Sequence, residues 1–221
     1  MFFYFKDSAY VAVIGDIVNS REISNRDLVQ RTLNDILQDM NNLYKEDISS
    51  KFMITLGDEF QGLLHRGSNL IKIIEEIEYR MYPVKIRFGI GVGSITTDIN
   101  YEMPLGADGP AYYYAREMIE DIKSFRDKPE ECDFKIKSES NETDLLFNTI
   151  SLLLSSMKRK WTDRQRDIVH SSYYFTARQT KIAEMFGVSQ AAVQKVLKTA
   201  DYRQYKIAMD TMAKVLGEIG G

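Results

Sequence analysis

Cysteine and histidine are nearly missing: Cys132 is the single thiol, and His65 and His170 are the only imidazoles in 221 residues. One thiol cannot close an intramolecular disulfide, and three scattered ligands make a poor zinc site. Long apolar runs are lacking as well. No window approaches the ~18 to 20 apolar residues of a membrane span, which excludes a spanning helix as a sequence expectation. The opening Met1-Phe2-Phe3-Tyr4-Phe5 is apolar but too short for a signal peptide, and no basic segment precedes it. It reads as an extra strand or a docking arm, and the expected compartment is the cytoplasm. Internal repeats and low-complexity stretches are also lacking.

What is present supports a packed core. Apolar residues make up 44% and aromatics 11% of the chain, with 13 tyrosines, whereas disorder needs weak hydrophobicity and few aromatics. The length allows one large domain or two small ones. A net charge of −3 hides an asymmetry: from Ser155 onward 12 Lys+Arg stand against 6 Asp+Glu, about +6, while the preceding part is about −9. Such unequal halves suggest a polyanion-binding tail on an acidic body; chance drift between domains is the plainer alternative.

Tyr10-Val11-Ala12-Val13-Ile14-Gly15-Asp16 is β-branched and continuously apolar, a buried strand that ends on a carboxylate. Leu28, Leu33, Ile36, Leu37, Met40 and Leu43 recur at helical spacing in a helix starting near Asn25. Alternation over 51–56 gives a strand. Gly57-Asp58 then serves as a two-residue hairpin loop, with Gly first as a type II′ turn prefers. Leu70, Ile73, Ile74 and Ile77 mark a second helix ending before Pro83, and 84–92 is a glycine-punctuated strand. Residues 108–125 look helical, with Pro110 near the first turn, and 133–137 is a short last strand. The order β, α, β-turn-β, α, β, α, β predicts an α+β fold, a ferredoxin-like or palm domain with helices on one face of the sheet, over residues 1–140. A polar stretch at 138–143 separates it from a helical domain, 141–221, containing a helix-turn-helix at about 161–200.

Asp16 and Asp58 are the candidate metal ligands. Mg²⁺ or Mn²⁺ favours carboxylate oxygens together with substrate phosphates, and two such ions about 4 Å apart can run phosphoryl transfer. The carbonyl of Ile17 is a plausible third ligand, and Glu59 is expected to face the other way by strand alternation. The plainer reading makes Gly-Asp a turn pair and Asp16 a cap. Asn19, Ser20 and Arg21 follow closely enough to line the same pocket as Gly57. Tyr112-Tyr113-Tyr114 offers a nucleobase stack or, equally, a helix packed on the sheet. Arg116 is a phosphate contact or an i,i+4 partner of Glu120.

Gly15-Asp16-Ile17-Val18-Asn19-Ser20-Arg21, Gly57-Asp58-Glu59-Phe60-Gln61-Gly62 and Asp108-Gly109-Pro110-Ala111-Tyr112 resemble the SatD family over most of the chain. More distantly, the first 137 residues resemble class III nucleotidyl cyclases and GGDEF domains. In that resemblance Asp16 and Asp58 are metal ligands, Arg87-Phe88-Gly89-Ile90-Gly91-Val92-Gly93 matches the cyclase Arg-x-Gly-x-x-x-Gly strand, and Arg116 is the transition-state arginine acting across a dimer interface. The chain departs from the cyclase pattern at Tyr112, where an asparagine is usual, and at Ile54, where a base-reading lysine is usual. Leu56 replaces the first glycine of the GGDEF signature. The resemblance therefore implies purine nucleotide binding with a divalent metal in a homodimer, and puts cyclisation in doubt.

In the basic half, Thr162 caps a first helix. Gln179-Thr180-Lys181-Ile182-Ala183-Glu184-Met185-Phe186-Gly187-Val188-Ser189-Gln190-Ala191-Ala192-Val193-Gln194-Lys195-Val196-Leu197-Lys198 then resembles the helix-turn-helix of sigma-factor-like and LuxR-like regulators. Gly187 makes the turn, Ser189 caps the second helix, and Ile182, Val193, Val196 and Leu197 point inward. Gln190, Ala191, Gln194 and Lys195 are left as readers of DNA bases, with Arg178, Lys181 and Lys198 on phosphates. Two functions follow from these parts: a DNA-binding regulator that senses a nucleotide, or a metal-dependent nucleotidyl cyclase or transferase.

Overall fold

A computed structural model of the chain describes residues 9–124, 132–175 and 178–220; the opening apolar arm lies outside them. The elements are β1 (Tyr10–Ile17), α1 (Arg26–Leu43), β2 (Ile48–Leu56), β3 (Glu59–Leu64), α2 (Leu70–Met81), β4 (Ile86–Gly93), α3 (Pro110–Ser124), β5 (Phe134–Lys137) and then five helices, α4 (Asn141–Lys158), α5 (Asp163–Tyr174), α6 (Gln179–Phe186), α7 (Gln190–Thr199) and α8 (Tyr202–Leu216). The sheet order is β2-β3-β1-β4-β5. The first four strands are antiparallel to their neighbours and β5 joins β4 in parallel. This is the expected ferredoxin-like arrangement, followed by an all-α part.

The helices do not all lie on one face. Val11, Val13, Phe60, Phe88 and Ile90 point into a large core shared with α1, α2 and the C-terminal helices. Their strand neighbours Ala12, Ile14 and Leu63 point the other way, into a smaller core against Ala111, Ala115 and Ile119 of α3. The amino-acid pattern of β4 explains why α3 can sit there. A Cβ at Gly91 would lie 1.9 Å from the Ala111 carbonyl oxygen, and one at Gly89 2.3 Å from that of Ala115. Helix backbone rests directly on strand backbone, so alternate positions of β4 must be glycine. The expectation of helices on one face therefore fails: the glycines of β4 seat α3 on the other.

β5 is an edge strand, and unpaired edges invite aggregation. Helix α4 covers it with polar side chains: Asn148 accepts from the Ile136 N–H at 2.8 Å and donates to the Ile136 carbonyl at 3.0 Å, and Ser151 donates to the Phe134 carbonyl at 2.5 Å. The same helix ends on a buried charge cluster. Lys158 lies 2.5 Å from Glu78, 3.1 Å from Glu75 and 3.1 Å from Asp133, and Tyr205 of α8 donates to Glu75 at 2.5 Å. Sheet, α2, α4 and α8 are thereby bolted together. No helix among the described residues is long and apolar enough to cross a membrane.

Candidate functional site

Register places the acidic site. Asp16 stands opposite Glu59 of β3 on one side and Arg87 of β4 on the other, and directly opposed residues share a face. That face is the one α3 covers. Glu59 therefore sits beside Asp16, contrary to the expectation from alternation. Asp58 belongs to the turn, so alternation counted from it does not carry into β3. Gly57 adopts φ +63°, as a hairpin position of positive φ requires, and its carbonyl accepts from Gln30 of α1 at 2.6 Å. The tip then folds against the end of β1: the Ile17 N–H donates to the Asp58 carbonyl at 3.3 Å. The two aspartates accordingly meet at one end of the sheet, close enough for the charge of Asp58 to raise the pKa of Asp16.

Helix α3 delivers cations to this row. Arg116 grips Glu59 with two bonds, Nη1 to Oε2 at 2.5 Å and Nη2 to Oε1 at 2.7 Å, rather than pairing with Glu120. Seven residues on, Lys123 reaches Asp16 Oδ1 at 3.1 Å. The opposite flank of α3 is acidic and faces β5, where Lys137 bonds Glu117 and Lys135 bonds Asp121. Burial pushes the Asp16 carboxyl above its ordinary range; the Lys123 hydrogen bond pulls it down without winning. Lys123 in turn is lowered by burial, but its bond to Asp16 leaves it net raised. The pair is thus an ammonium and a carboxylate sharing a half-dry crevice.

This arrangement fits a divalent cation only if Lys123 first leaves Asp16. Its ammonium already neutralises the oxygen a metal would take, and among the described residues no three His, Cys, Asp or Glu side chains gather as a ligand set. The remaining nucleotide-site candidates are spread around the same end. Ile17 is buried toward the large core, Asn19 is exposed with φ 53°, Ser20 is buried in a single 3-10 turn, and Arg21 is exposed. Tyr112 lies one helical turn before Arg116, its ring in the small core and its hydroxyl without a hydrogen-bond partner among the described residues. The sequence reading missed Glu59 and Lys123. The second was readable from its spacing of seven from Arg116, which keeps both on one flank of a helix.

The second site is the helix-turn-helix. Thr162 and Gln165 form a reciprocal capping box at the start of α5. Gly187 ends α6 at φ +63°, and the Val188 N–H closes back on the Ala183 carbonyl at 3.0 Å. Ser189 then accepts from the Ala192 N–H at 3.1 Å and opens α7. Ile182, Ala183, Val193 and Leu197 are buried at the crossing. Gln190, Ala191, Gln194, Lys195 and Lys198 are exposed along α7, as are Ser189, Lys181 and Arg178 beside it.

The fold and these two sites define a class: a ferredoxin-like sheet joined to a helical unit of the helix-turn-helix kind. Residues 10–216 match the SatD family. The chain belongs to the SatD family. No curated protein matches it. Among solved structures it is similar to a bacterial light-regulated adenylyl cyclase, at 12% identity over 58% of this chain and 75% of that one, TM-score 0.44. It is also similar to the dimeric guanylyl cyclase domain of the RhoGC fusion protein from the aquatic fungus Blastocladiella emersonii, at 18% identity over 50% and 72%, TM-score 0.38. A regulator of polyketide synthase expression from Bifidobacterium adolescentis is similar at 12% identity over 95% and 85%, TM-score 0.29.

Proposed function

We propose that this protein is a DNA-binding regulator whose cyclase-like domain receives a purine nucleotide at the Asp16–Asp58 end of the sheet and works as a homodimer. The observation that carries the reading is α7: a capped, amphipathic helix with its apolar face committed to α5 and α6 and a polar face of Gln190, Ala191, Gln194 and Lys195 open to solvent. Glutamine side chains read adenine edges in the major groove and alanine meets the thymine methyl, while the basic excess of this half supplies phosphate attraction. Selection of genomic fragments by the purified protein, followed by gel shift, tests it. Enrichment of a shared sequence that the Gln190→Ala/Gln194→Ala double variant no longer distinguishes is the expected result. Binding of no DNA at 50 mM salt by the folded protein would remove the proposal.

Nucleotide reception belongs to the same reading. With a divalent cation, Asp16, Asp58 and the Ile17 carbonyl would be the holding groups once Lys123 is released, and the ion would supply charge neutralisation for phosphates. Lys123 and Arg116, freed from their carboxylates, are then available to phosphate oxygens. Equilibrium dialysis of ATP and GTP with and without Mn²⁺, on wild type and Asp58→Ala, checks this part separately.

The convergence of Asp16 and Asp58 also favours a second reading, metal-dependent nucleotidyl transfer. In this reading Arg116, released from Glu59, would face the charge developing on the transferred phosphate. Incubation with each NTP and Mn²⁺ followed by mass analysis decides: a product made by wild type and not by Asp58→Ala supports the enzyme.

A further inference from the structure

A cavity of about 350 Å³ opens at the same end of the sheet as the two aspartates, between the strands and the helical part. Small-molecule sites begin at about this size. Its floor is the last rung of the sheet, where the Val18 N–H donates to the Lys85 carbonyl at 2.9 Å. Its roof is the end of α4, the connection through Trp161, and Arg166 of α5.

Lys85, Lys158 and Arg166 line it together with two acidic side chains, Glu78 and Asp133, while Arg87 meets its edge from the strand position opposite Asp16. Both acids are already held by Lys158, so the cavity keeps a positive surplus. Arg166 is the clearest sign of an unfinished site. Its guanidinium lies 4.3 Å from the centre of the Tyr82 ring and donates from Nη2 to the Lys158 carbonyl at 3.3 Å. Its Nε–H is buried and has no partner among the described residues, and a buried unmet donor is costly unless something external accepts from it. The remaining wall is apolar: Val18, Val84, Ile86 and the Trp161 ring. One wall for charge and one for an organic body is the division expected of a pocket for a small anionic metabolite.

We infer that this cavity binds a small organic phosphate, no larger than a mononucleotide, with the phosphate against Arg166 and Lys85 and the body against Trp161. A phosphate dianion matches the positive surplus better than a monocarboxylate, and arginine recognises its oxygens through paired N–H donors. The site is separate from the Asp16–Asp58 crevice. It also touches α5 directly, and α5 is tied to α6 where Arg164 donates to the Phe186 carbonyl at 2.8 Å. A ligand here therefore bridges the sheet and the helix-turn-helix.

Calorimetric titration of the full chain in EDTA tests this with inorganic phosphate, AMP, GMP, ribose 5-phosphate and, as the carboxylate arm, citrate. Saturable binding of at least one phosphate compound is expected, weakened at least tenfold in Arg166→Met and in Lys85→Met, and unaffected in Asp58→Ala. Lys85 is exposed, so its variant stays informative should Arg166→Met fail to fold. No phosphate binding by folded wild type up to 5 mM, binding indifferent to both substitutions, binding of citrate alone, or binding lost in Asp58→Ala would each overturn the inference.

Discussion

Charge placement at single residues decides how this molecule is held. Lys158 faces three carboxylates, and its pKa is held well above the ordinary lysine value: burial lowers it, but Asp133, Glu75 and Glu78 together outweigh that. The surplus of acid is relieved at Glu78, whose pKa burial pushes up to about 8 against the pull of Lys158. A carboxyl raised in the folded state holds a proton that the unfolded chain has lost. Its contribution to stability is therefore complete below its ordinary value of 4.5 and disappears as pH rises through about 8. Urea midpoints should fall between roughly pH 5 and 8 in wild type, and Glu78→Gln should flatten that slope; an unchanged slope would show that Glu78 is ionised throughout. Lys158→Met should cost about 3–5 kcal/mol, because it strands buried carboxylates without their cation; the same urea melts at pH 7 measure it. At the acidic crevice, Lys123→Met removes the group that opposes burial at Asp16. The Asp16 carboxyl should titrate higher still, a shift followed by ¹³C NMR of its side chain.

At the scale of elements, two glycines make contrasting demands. Gly187 needs its left-handed backbone but has open space around the missing Cβ, so Gly187→Ala should cost only the conformational penalty, about 1–2 kcal/mol. Gly91 has an ordinary backbone and no space at all, with the Ala111 carbonyl oxygen 1.9 Å from where a Cβ would be. Gly91→Ala should push α3 off the sheet and lower the melting temperature far more than Gly187→Ala, which paired thermal melts compare directly. This contrast also separates what could be read in the sequence from what could not. Turn chemistry is local, so Gly57-Asp58, Thr162 and the Gly187-Val188-Ser189 corner are legible from neighbours alone. So are the strand and helix periods, because each apolar position obeys its own element's repeat. Which face α3 covers is a tertiary matter, and the glycines of β4 record it only once a partner is known. The acidic row divides the same way: Asp16 is marked by its strand end and Lys123 by its helical spacing from Arg116, whereas Glu59 enters only through the β1–β3 register.

For the molecule as a whole, the helical half is not an appendage. The large core runs without a break from Val11 and Phe88 through Leu154 and Ile168 to Met209 and Leu216, and the Lys158 cluster and His170–Glu76 contact at 2.8 Å span the same seam. Helices α5 to α7 are therefore packed with the sheet as one body, and under the proposed function a ligand at the Asp16 end of β1 would act on DNA binding by shifting rigid bodies rather than by releasing a tether. For the proposed DNA binding, phosphate attraction and sequence reading can be separated on this frame. Lys181 and Lys198 are exposed and flank the reading face, so replacing either by Ala should weaken binding to all sequences alike and reduce the slope of log affinity against log salt by about 1. Gln194 is also exposed but carries no charge. Gln194→Ala should leave the salt slope unchanged while costing about 1–3 kcal/mol on the preferred site and nothing on unrelated DNA. Fluorescence anisotropy across a salt series, on a selected and a scrambled duplex, gives both quantities at once. If Gln194→Ala and Lys198→Ala weaken the two duplexes equally, the proposed sequence reading by α7 fails and at most contact with the phosphate backbone remains.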